Sequence, residues 1–406
     1  MGSSILHRAA NPNLRMRSEK KRFPHEYSGM MDNECMVKPH FDRIVIGGGL
    51  FGSFAALALA KRGLRVCLVE QGSELLGRAS LINQARLHTG LHYPRSLDTA
   101  KESIVYYDKF RSSFPSAVRD FDQIYAISRY SSKTSGEDFL AFINRLDIKV
   151  QEIPQTIYFQ KSTISHAFRV EEPTFDAEEL RKILKERINA SANITLRLNS
   201  KVTGGDIGNS FSTIQLDNGH ALSGGGLVIA AYAGINGLRE MFGLKKLPLS
   251  FEIADVFLGL VPDSLKNIGF TVMDGPFWSM MPFGHSNFSS LTSVGLTPIE
   301  KSNHFPIFSC QTKRLECVPS GLADCNSCDF RPTSNFEHIQ QQVSMHLKDS
   351  IRFDDCARLT TVKTVLTSSE VDDSRPTLIE KENNLNVWTI FSGKITTIFD
   401  IEEGLS

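Results

Sequence analysis

The chain has 406 residues, of which 41% are apolar and 22% charged, and its 45 basic residues balance its 45 acidic ones. This length predicts two or three domains, and the balanced charge does not indicate a nucleic-acid partner. No apolar run approaches the roughly 18 residues of a membrane-spanning helix, and seven cysteines are too few for a disulfide scaffold. We therefore expect a soluble, cytoplasmic protein without a transmembrane segment.

Residues 1–40 differ from the rest of the chain because they are polar, lean towards basic residues and lack periodicity. We expect a disordered extension, or the product of an upstream start codon. A transit peptide is the alternative, since basic residues cluster between Arg8 and Arg22. Glu19 interrupts that cluster, however, and no amphipathic helix is evident.

The segment Phe41–Glu70 has the pattern of a dinucleotide-binding βαβ unit. An apolar run predicts a buried strand, a stretch of small apolar residues predicts a helix that ends at Gly63, and a second apolar run predicts another strand. The predicted elements are strand 41–46, helix 53–60 and strand 65–69. This order of elements is typical of a Rossmann-type fold.

The glycines between the first strand and the helix fit the pattern G-x-G-x-x-G. Gly47 permits a tight turn, Gly49 lets the backbone approach a pyrophosphate, and Gly52 lets the helix pack closely on the strand. Glu70 follows Gly52 by 18 residues, close to the roughly 20 expected for the acid that accepts from a ribose hydroxyl. We expect further dinucleotide contacts from the neighbouring residues Leu50, Phe51 and Gln71.

A polar loop, Asn83–Ser96, follows this unit and reads Asn-Gln-Ala-Arg-Leu-His-Thr-Gly-Leu-His-Tyr-Pro-Arg-Ser. Together with Ser80, it resembles the loop after the Rossmann unit in flavoenzymes of the D-amino-acid oxidase superfamily. The 2-hydroxyglutarate and glycerol-3-phosphate dehydrogenases have a similar Ser…Asn…His-x-Gly pattern, and the fuller motif resembles a poorly characterised branch of FAD-dependent oxidoreductases. The chain departs from the hydroxyglutarate type at Arg86 and His92, which affects the expected substrate but not the cofactor.

The resemblance implies an α/β chain with a glutathione-reductase-type, Rossmann-like FAD domain and a β-rich α+β substrate domain. The FAD domain is expected to be discontinuous, over residues 41–100, 166–244 and 385–406. The substrate domain is expected over residues 101–165 and 245–384. FAD is the implied cofactor.

The resemblance also assigns FAD contacts that are scattered along the chain. Val202 lies near the start of the predicted strand 201–207, at the position where family members contact the adenine through their backbone. The segment Ala230–Asn236 resembles the family's strand-end motif, with Tyr232 in place of a small residue. The remaining contacts implied outside the C-terminal segment are Ser80, Asn83, Arg86, Ala231 and Gly234.

The C-terminal segment is where this superfamily completes its FAD site. Strand 386–391, loop Ser392–Lys394 and a predicted helix Ile395–Glu402 follow one another there. The loop, the helix start at Ile395 and the charge of Lys394 are expected at the pyrimidine edge of the flavin, where negative charge accumulates on reduction. Ser392 and Gly393 are the other expected contacts. An NAD-dependent enzyme does not need this element, so it favours FAD.

Four residues of the polar loop are candidates for catalysis. His88 is the first choice for the base, because a neutral imidazole can accept a proton from a substrate O–H or N–H. The alternative is that His88 only shapes the FAD loop. His92 and Tyr93 either orient the substrate or are structural. Arg95, or Arg86, either clamps a carboxylate or phosphate or binds the FAD pyrophosphate.

Four cysteines lie within 19 residues, namely Cys310, Cys317, Cys325 and Cys328. Four thiolates can hold a tetrahedral zinc ion. One C-x-x-C with irregularly spaced partners is a modest signal, so we favour free thiols and no metal, and keep a zinc site as the alternative.

The sequence thus predicts an FAD-dependent oxidoreductase, a dehydrogenase or oxidase that removes hydride from a C–H next to O or N. The substrate is expected to be a small polar molecule, with acids among the candidates, and the electron acceptor to be oxygen or a quinone. One alternative is a flavin-dependent monooxygenase, although no second G-x-G-x-x-G is present for NAD(P)H. The other is a flavin-binding protein without turnover.

Overall fold

Two β-sheets organise the computed structural model, which describes residues 40–91, 94, 97–130, 132–146, 148–367 and 377–405. Its α-helices are α1 (Leu50–Lys61), α2 (Leu97–Ser113), α3 (Gly136–Asn144), α4 (Ala177–Ala190), α5 (Ile235–Met241), α6 (Phe336–His346) and α7 (Ile401–Gly404). Its strands are β1 (Arg43–Ile46), β2 (Val66–Val69), β3 (Val118–Arg119), β4 (Asp122–Ser128), β5 (Gln151–Glu152), β6 (Ile164–Glu171), β7 (Thr174–Phe175), β8 (Ile194–Arg197), β9 (Val202–Ile207), β10 (Ser212–Leu216), β11 (Ala221–Gly224), β12 (Leu227–Ile229), β13 (Leu249–Leu260), β14 (Ile268–Met273), β15 (Trp278–Pro282), β16 (Ser289–Ser293), β17 (Pro298–Asn303), β18 (Asp354–Leu366), β19 (Leu378–Lys381) and β20 (Val387–Phe391).

The first sheet has six strands among these residues, in the order β19-β20-β12-β1-β2-β8. All neighbouring pairs are parallel except β19 with β20. β1, β2 and β12 are almost entirely apolar and buried, as expected for parallel strands covered on both faces. The predicted strand, helix and strand of the βαβ unit are therefore present, at the centre of this sheet.

The glycine-rich turn between β1 and α1 depends on the absence of side chains. Gly47 has a φ of +110°, a conformation that residues with a Cβ rarely adopt. A Cβ added to Gly52 would lie 1.8 Å from the carbonyl oxygen of Gly47. α1 begins at Leu50, earlier than the predicted start at residue 53, because the turn itself leads directly into the helix.

The second, larger sheet runs in the order β17-β13-β16-β15-β14-β4-β6-β5, with β18 paired to β13. Its two faces are covered by different helices, as the alternation along β4 illustrates. Ile124 packs in a cluster with α6, whereas Tyr125 packs in a cluster with α3. The second cluster also contains Leu91, so the face that carries Tyr125 is also the one on which the polar loop packs.

Four polar residues stand side by side on this face, and we call them the polar row: Tyr125, Thr271, Ser279 and Thr292. The strand registers pair Tyr125 with Thr271, Thr271 with Ser279, and Ser279 with Thr292. Residues paired in this way point to the same side of a sheet. The polar row therefore crosses β4, β14, β15 and β16 at right angles to the strands.

The structure differs from the sequence predictions at several boundaries. β6 lies in the large sheet although most of it was assigned to the FAD domain, and β19 lies in the six-stranded sheet although it was assigned to the substrate domain. The predicted helix Ile395–Glu402 is a 3-10 helix over Ile395–Asp400, followed by α7. The domain limits themselves stay a prediction.

Residues 1–39, predicted to be a disordered extension, lie outside the described residues. The described residues belong to one compact unit. No helix in the described part of the chain is both long enough and apolar enough to cross a lipid bilayer.

Candidate functional site

A cavity of about 680 Å³ is lined by residues of both sheets. This volume lies within the roughly 300–1,000 Å³ that is common for ligand and cofactor sites. The predicted site residues that line it are His88, Gly47, Gly49, Leu50, Phe51, Glu70, Gln71, Ser80, Asn83, Arg86, Val202, Ala231, Gly234, Ser392, Gly393, Lys394 and Ile395. Gly52 lies beneath them, against the turn. The candidates His92, Tyr93 and Arg95 lie outside the described residues.

The start of α1 is open towards the cavity. No side chain caps its N-terminal residue Gly49, and a Cβ there would meet nothing nearer than Ser80 Oγ, at 3.5 Å. Ser80 Oγ accepts the backbone N–H of Leu50 at 3.0 Å. A twelve-residue helix that starts after a glycine offers its remaining N–H groups and a positive dipole end to an anion.

Glu70 ends β2 where the sequence predicted it. Its carboxylate accepts two backbone N–H groups, from Gly48 at 2.6 Å and from Gly72 at 2.7 Å. A carboxylate has about four acceptor positions, so two remain for other donors such as ribose hydroxyls. The glycine start of the helix, the oriented carboxylate and the cavity volume together fit a dinucleotide.

The C-terminal loop approaches the cavity from the other end of the chain. The hydroxyl of Ser392 accepts the backbone N–H of Lys394 at 3.1 Å and lies 3.0 Å from the hydroxyl of Thr397. The ammonium of Lys394 lies 3.7 Å from the carboxylate of Glu102, and the Lys394 side chain is only 9% exposed. The loop thus holds a partly shielded positive charge next to the cavity.

Asn83 shapes the beginning of the polar loop. Its amide nitrogen donates to the carbonyls of Ala79 and Ser80, both at 3.0 Å, and its amide oxygen accepts the N–H of Ala85 at 2.6 Å. These bonds accompany a left-handed conformation at Ala85, with a φ of +55°. Asn83 was predicted as a cofactor contact, and its amide is engaged within the loop itself.

Arg86 is buried against the polar row. Its Nη1 donates to the hydroxyl of Tyr125 at 2.8 Å and to the carboxylate of Glu172 at 2.9 Å. Its Nη2 donates to Thr271 Oγ1 at 2.6 Å and lies 3.4 Å from Ser279 Oγ. Both sequence interpretations of Arg86, as a substrate clamp or a pyrophosphate ligand, require a pair of available N–H groups. These partners already engage Nη1 and Nη2, and only the buried Nε has no hydrogen-bond partner among the described residues.

Glu172 holds the polar loop on both sides of His88. One carboxylate oxygen accepts from Arg86 and from the hydroxyl of Tyr125, the latter at 2.7 Å. The other oxygen accepts the backbone N–H of Thr89 at 3.3 Å. Burial and the neighbouring carboxylate raise the pKa of Tyr125 well above its usual value, so its hydroxyl keeps the proton that it donates. His88, half-buried between these anchors, lines the cavity.

Sequence reasoning did not identify Glu172, the polar row or Gln84 as parts of the site. Gln84 lines the cavity and donates its amide N–H to Thr292 Oγ1 at 2.6 Å. Glu172 lies 86 residues from Arg86, and Thr292 lies 208 residues from Gln84. Contacts this distant in sequence leave no local pattern, although Gln84 was visible as part of the polar motif.

The four clustered cysteines are half-buried, and Cys325 lines the cavity. Burial and the nearby thiols of Cys317 and Cys310 raise the pKa of Cys325 to about 12. Among the residues that the structure describes, no group of three or more His, Cys, Asp or Glu side chains is arranged to hold a metal ion.

Comparison with protein families gives one match over half of the chain. The family model of FAD-dependent oxidoreductases, abbreviated DAO, matches residues 42–253. The curated FAD-dependent monooxygenase FPY4 of Fusarium mangiferae is 26% identical over 296 residues, which are 71% of this chain and 73% of that protein. The FAD-dependent monooxygenase kojA of Aspergillus flavus is 30% identical over 253 residues, or 59% of this chain and 57% of the relative.

Solved structures share the fold at low sequence identity. Glycine oxidase from Geobacillus kaustophilus superposes with a TM-score of 0.63 at 16% identity, covering 90% of this chain and 92% of that one. L-α-glycerophosphate oxidase from Mycoplasma pneumoniae, solved with FAD bound, gives a TM-score of 0.64 at 14% identity, covering 90% and 93%. These matches confirm the predicted fold class, an α/β FAD-binding unit combined with a β-rich α+β part.

Proposed function

The chain belongs to the FAD-dependent oxidoreductase family, within the D-amino-acid oxidase superfamily, and from this premise we propose that it acts as a dehydrogenase or oxidase on a small polar substrate. The bond broken is a C–H next to oxygen or nitrogen. FAD, the family's cofactor, accepts the hydride when bound. The observation that supports this proposal most is that one cavity joins the open start of α1 to the polar loop and the polar row.

The residues proposed to hold the cofactor occupy three parts of the chain. Gly47 and Gly49 form the side-chain-free turn for the phosphates, and Glu70 accepts from ribose hydroxyls. Val202 lies beside the adenine. Ser392, Gly393, Lys394 and Ile395 line the pyrimidine edge of the flavin, where the positive charge stabilises the reduced ring.

We assign the proton transfer to His88. Its imidazole accepts the substrate's O–H or N–H proton as the C–H bond is broken. Arg86 and Thr89 on either side of it are held by the same carboxylate, which fixes the loop against the large sheet. Such fixing keeps the base in one position, which efficient proton transfer requires. The predicted roles of His92, Tyr93 and Arg95 remain predictions.

Anaerobic flavin bleaching tests this proposal. Purified protein should be yellow, and a screen of hydroxy acids, amino acids, amines, sugars and polyols should reveal compounds that bleach it. His88→Asn should bind FAD equally well but be bleached about 10²–10⁴-fold more slowly, the usual contribution of a general base. Admitting oxygen or adding a quinone to the bleached enzyme then identifies the acceptor. Colourless protein that gains no flavin from added FAD would contradict the whole proposal.

A second candidate is a flavin-dependent monooxygenase, because the relatives from Fusarium mangiferae and Aspergillus flavus carry that name. Such an enzyme reduces its flavin with NADPH or NADH before it reacts with oxygen. Bleaching by NADPH, and not by any substrate alone, would favour this function. A yellow protein that neither kind of reductant bleaches would favour flavin binding without turnover.

A further inference from the structure

The charges next to the polar row already neutralise each other. Arg86 is 1% exposed and Glu172 is not exposed at all, and their charged atoms lie 2.9 Å apart. Among the described residues, Arg86 is the one cation that bonds to a member of the polar row. A substrate that reaches the row therefore meets a net neutral surface.

The groups that remain available there are uncharged. Thr292 Oγ1 accepts from Gln84, so its hydroxyl proton is left to donate, and Gln84 has its amide oxygen left to accept. Neither atom has a further partner in the part of the chain that the structure describes, and both residues line the cavity. Ser279, beside Thr292 in the row, also lines it. One donor and one acceptor side by side match a hydroxyl group, which both donates and accepts.

We propose that the substrate is an uncharged molecule with several hydroxyl groups, such as a sugar or another polyol. This inference rests on the proposed function and specifies its substrate class. A carboxylate or phosphate placed against the polar row would lose its hydration without gaining an unmatched cation, and burying a charge in this way is costly. Arg-based recognition of acids relies on a guanidinium that is free to bind bidentately, which Arg86 is not.

Pairs of compounds that share a carbon skeleton but differ in charge provide the test. Each neutral polyol or sugar is compared with the acid made by oxidising its terminal CH₂OH, and glycerol with glycerol 3-phosphate. We measure the anaerobic bleaching rate and, separately, the dissociation constant from perturbation of the flavin spectrum. The neutral member should bind at least about tenfold more tightly and bleach faster. Tighter binding of the charged member, or equal binding across the pairs, would overturn the inference.

These outcomes separate the inference from the proposed function. Bleaching by acids or amino acids alone would leave the oxidoreductase proposal intact and overturn this one. It would indicate that a cation outside the described residues, such as Arg95, recognises the substrate. If nothing bleaches the flavin, the proposed function fails, and the dissociation constants still decide whether the site prefers neutral molecules.

A variant of the Arg86–Glu172 ion pair tests the cause of the preference for neutral molecules. Glu172→Gln removes the charge that neutralises Arg86 while keeping the shape, so the affinity ratio of charged to neutral member should rise about tenfold or more. Glu171→Gln, at the exposed neighbouring position, is the matched control and should not change the ratio.

A variant of the polar row tests the same assignment. Thr292→Val removes the hydroxyl of Thr292 at nearly constant volume. It should weaken binding of the neutral member several-fold without changing the flavin spectrum. If Glu172→Gln fails to fold because Arg86 loses its buried counterion, Thr292→Val decides the question alone. Unchanged binding of the neutral member in Thr292→Val, or an unchanged ratio in folded Glu172→Gln, would refute the assignment.

Discussion

Nη1 of Arg86 and a carboxylate oxygen of Glu172 lie 2.9 Å apart, in a part of the protein that solvent does not reach. The pair connects the loop that carries His88 with the end of β6, close to the large sheet. Hydroxyls of Tyr125 and Thr271 in the polar row also accept from Arg86. One guanidinium therefore connects the polar loop with β4, β14 and the end of β6. This arrangement fixes the loop against the large sheet and leaves the surface beside the polar row without net charge.

Removing one member of this pair should strongly destabilise the protein. Arg86→Met leaves the Glu172 carboxylate buried without a counterion, which costs about 3–5 kcal/mol in comparable cases. The measurement is the free energy of unfolding in urea. The control is Arg111→Met, which breaks the exposed pair with Asp120 and should cost less than about 1 kcal/mol. Equal losses in the two variants would show that burial of the pair is unimportant for stability.

Two glycines of the same motif should respond differently to alanine. Gly52→Ala forces a Cβ against the carbonyl oxygen of Gly47, so the protein should be destabilised or fail to fold. Gly49→Ala has room in the protein itself, but its methyl group occupies the approach to the helix start. It should therefore fold normally and bind FAD about tenfold or more weakly, equivalent to ~1–3 kcal/mol. Thermal unfolding and the bound-flavin absorbance measure the two effects, and normal FAD affinity in Gly49→Ala would contradict the proposed phosphate site.

Charge changes at the C-terminal loop should shift the reduction potential of the bound flavin. Lys394→Met removes a positive charge that favours the reduced ring, so the potential should fall, by about 30 mV for each ~1.4 kcal/mol lost. Glu102→Gln removes the carboxylate that partly compensates Lys394, and should raise the potential. The exposed Lys61→Met is the control. Equilibrium dye titration gives the potentials, and a rise in Lys394→Met would contradict the assigned position of the loop.

His346 should make the protein less stable in mild acid. Its imidazole is buried between Trp278 and Ser128, and burial lowers its pKa below the usual 6.5. The unfolded chain therefore takes up a proton near pH 6.5 while the folded protein does not. Stability should decrease as the pH falls from 6.5 to the lowered pKa, by at most about 1.4 kcal/mol per pH unit.

Replacing His346 by Gln should remove this part of the pH dependence, as measured by urea unfolding between pH 7 and pH 5. His338→Gln changes an exposed histidine of the same helix and should leave the slope as it is. An identical slope in both variants would exclude His346 as the source.

The cysteines should differ widely in reactivity. Burial raises the pKa of Cys67 to about 12, and burial with neighbouring thiols does the same for Cys325. The thiol of Cys356 is exposed. Because the thiolate is the reactive form, iodoacetamide at pH 8 should modify Cys356 well before the other two. Peptide mass spectrometry over time measures this order, and early labelling of Cys325 would indicate that the loop near the cavity opens.

The parts of the site that depend on local pattern were predictable from the sequence. The strand, glycine turn and helix around Gly47–Gly52 follow from periodicity and the steric needs of a tight turn, and Glu70 follows from its spacing. The C-terminal loop was placed by resemblance, and its helix is partly 3-10. Its role at the flavin remains a prediction.

The environment of Arg86 was not predictable. In the sequence, an arginine in a polar loop indicates a ligand-binding group. Glu172 lies next to this arginine only in the folded protein. The polar row has the same origin, since its members come from four strands whose register the sequence does not reveal. Likewise, β6 belongs to the large sheet and β19 to the six-stranded sheet, each in the other domain from the one predicted for it. Strands can pair with strands that are distant in sequence, so their position along the chain did not reveal this.

The position of β20 has a consequence for how the protein matures in the cell. This strand pairs with β12 next to β1, so the six-stranded sheet combines the first and last strands of the described chain. At a translation rate of roughly 5–20 residues per second, the stretch from Ile229 to Val387 takes about 8–30 seconds, during which the apolar edge of β12 is uncovered. The parallel core of the six-stranded sheet is therefore complete only after β20 has been made. Chaperone protection during this interval should matter more for this protein than for one whose sheet is built from consecutive strands.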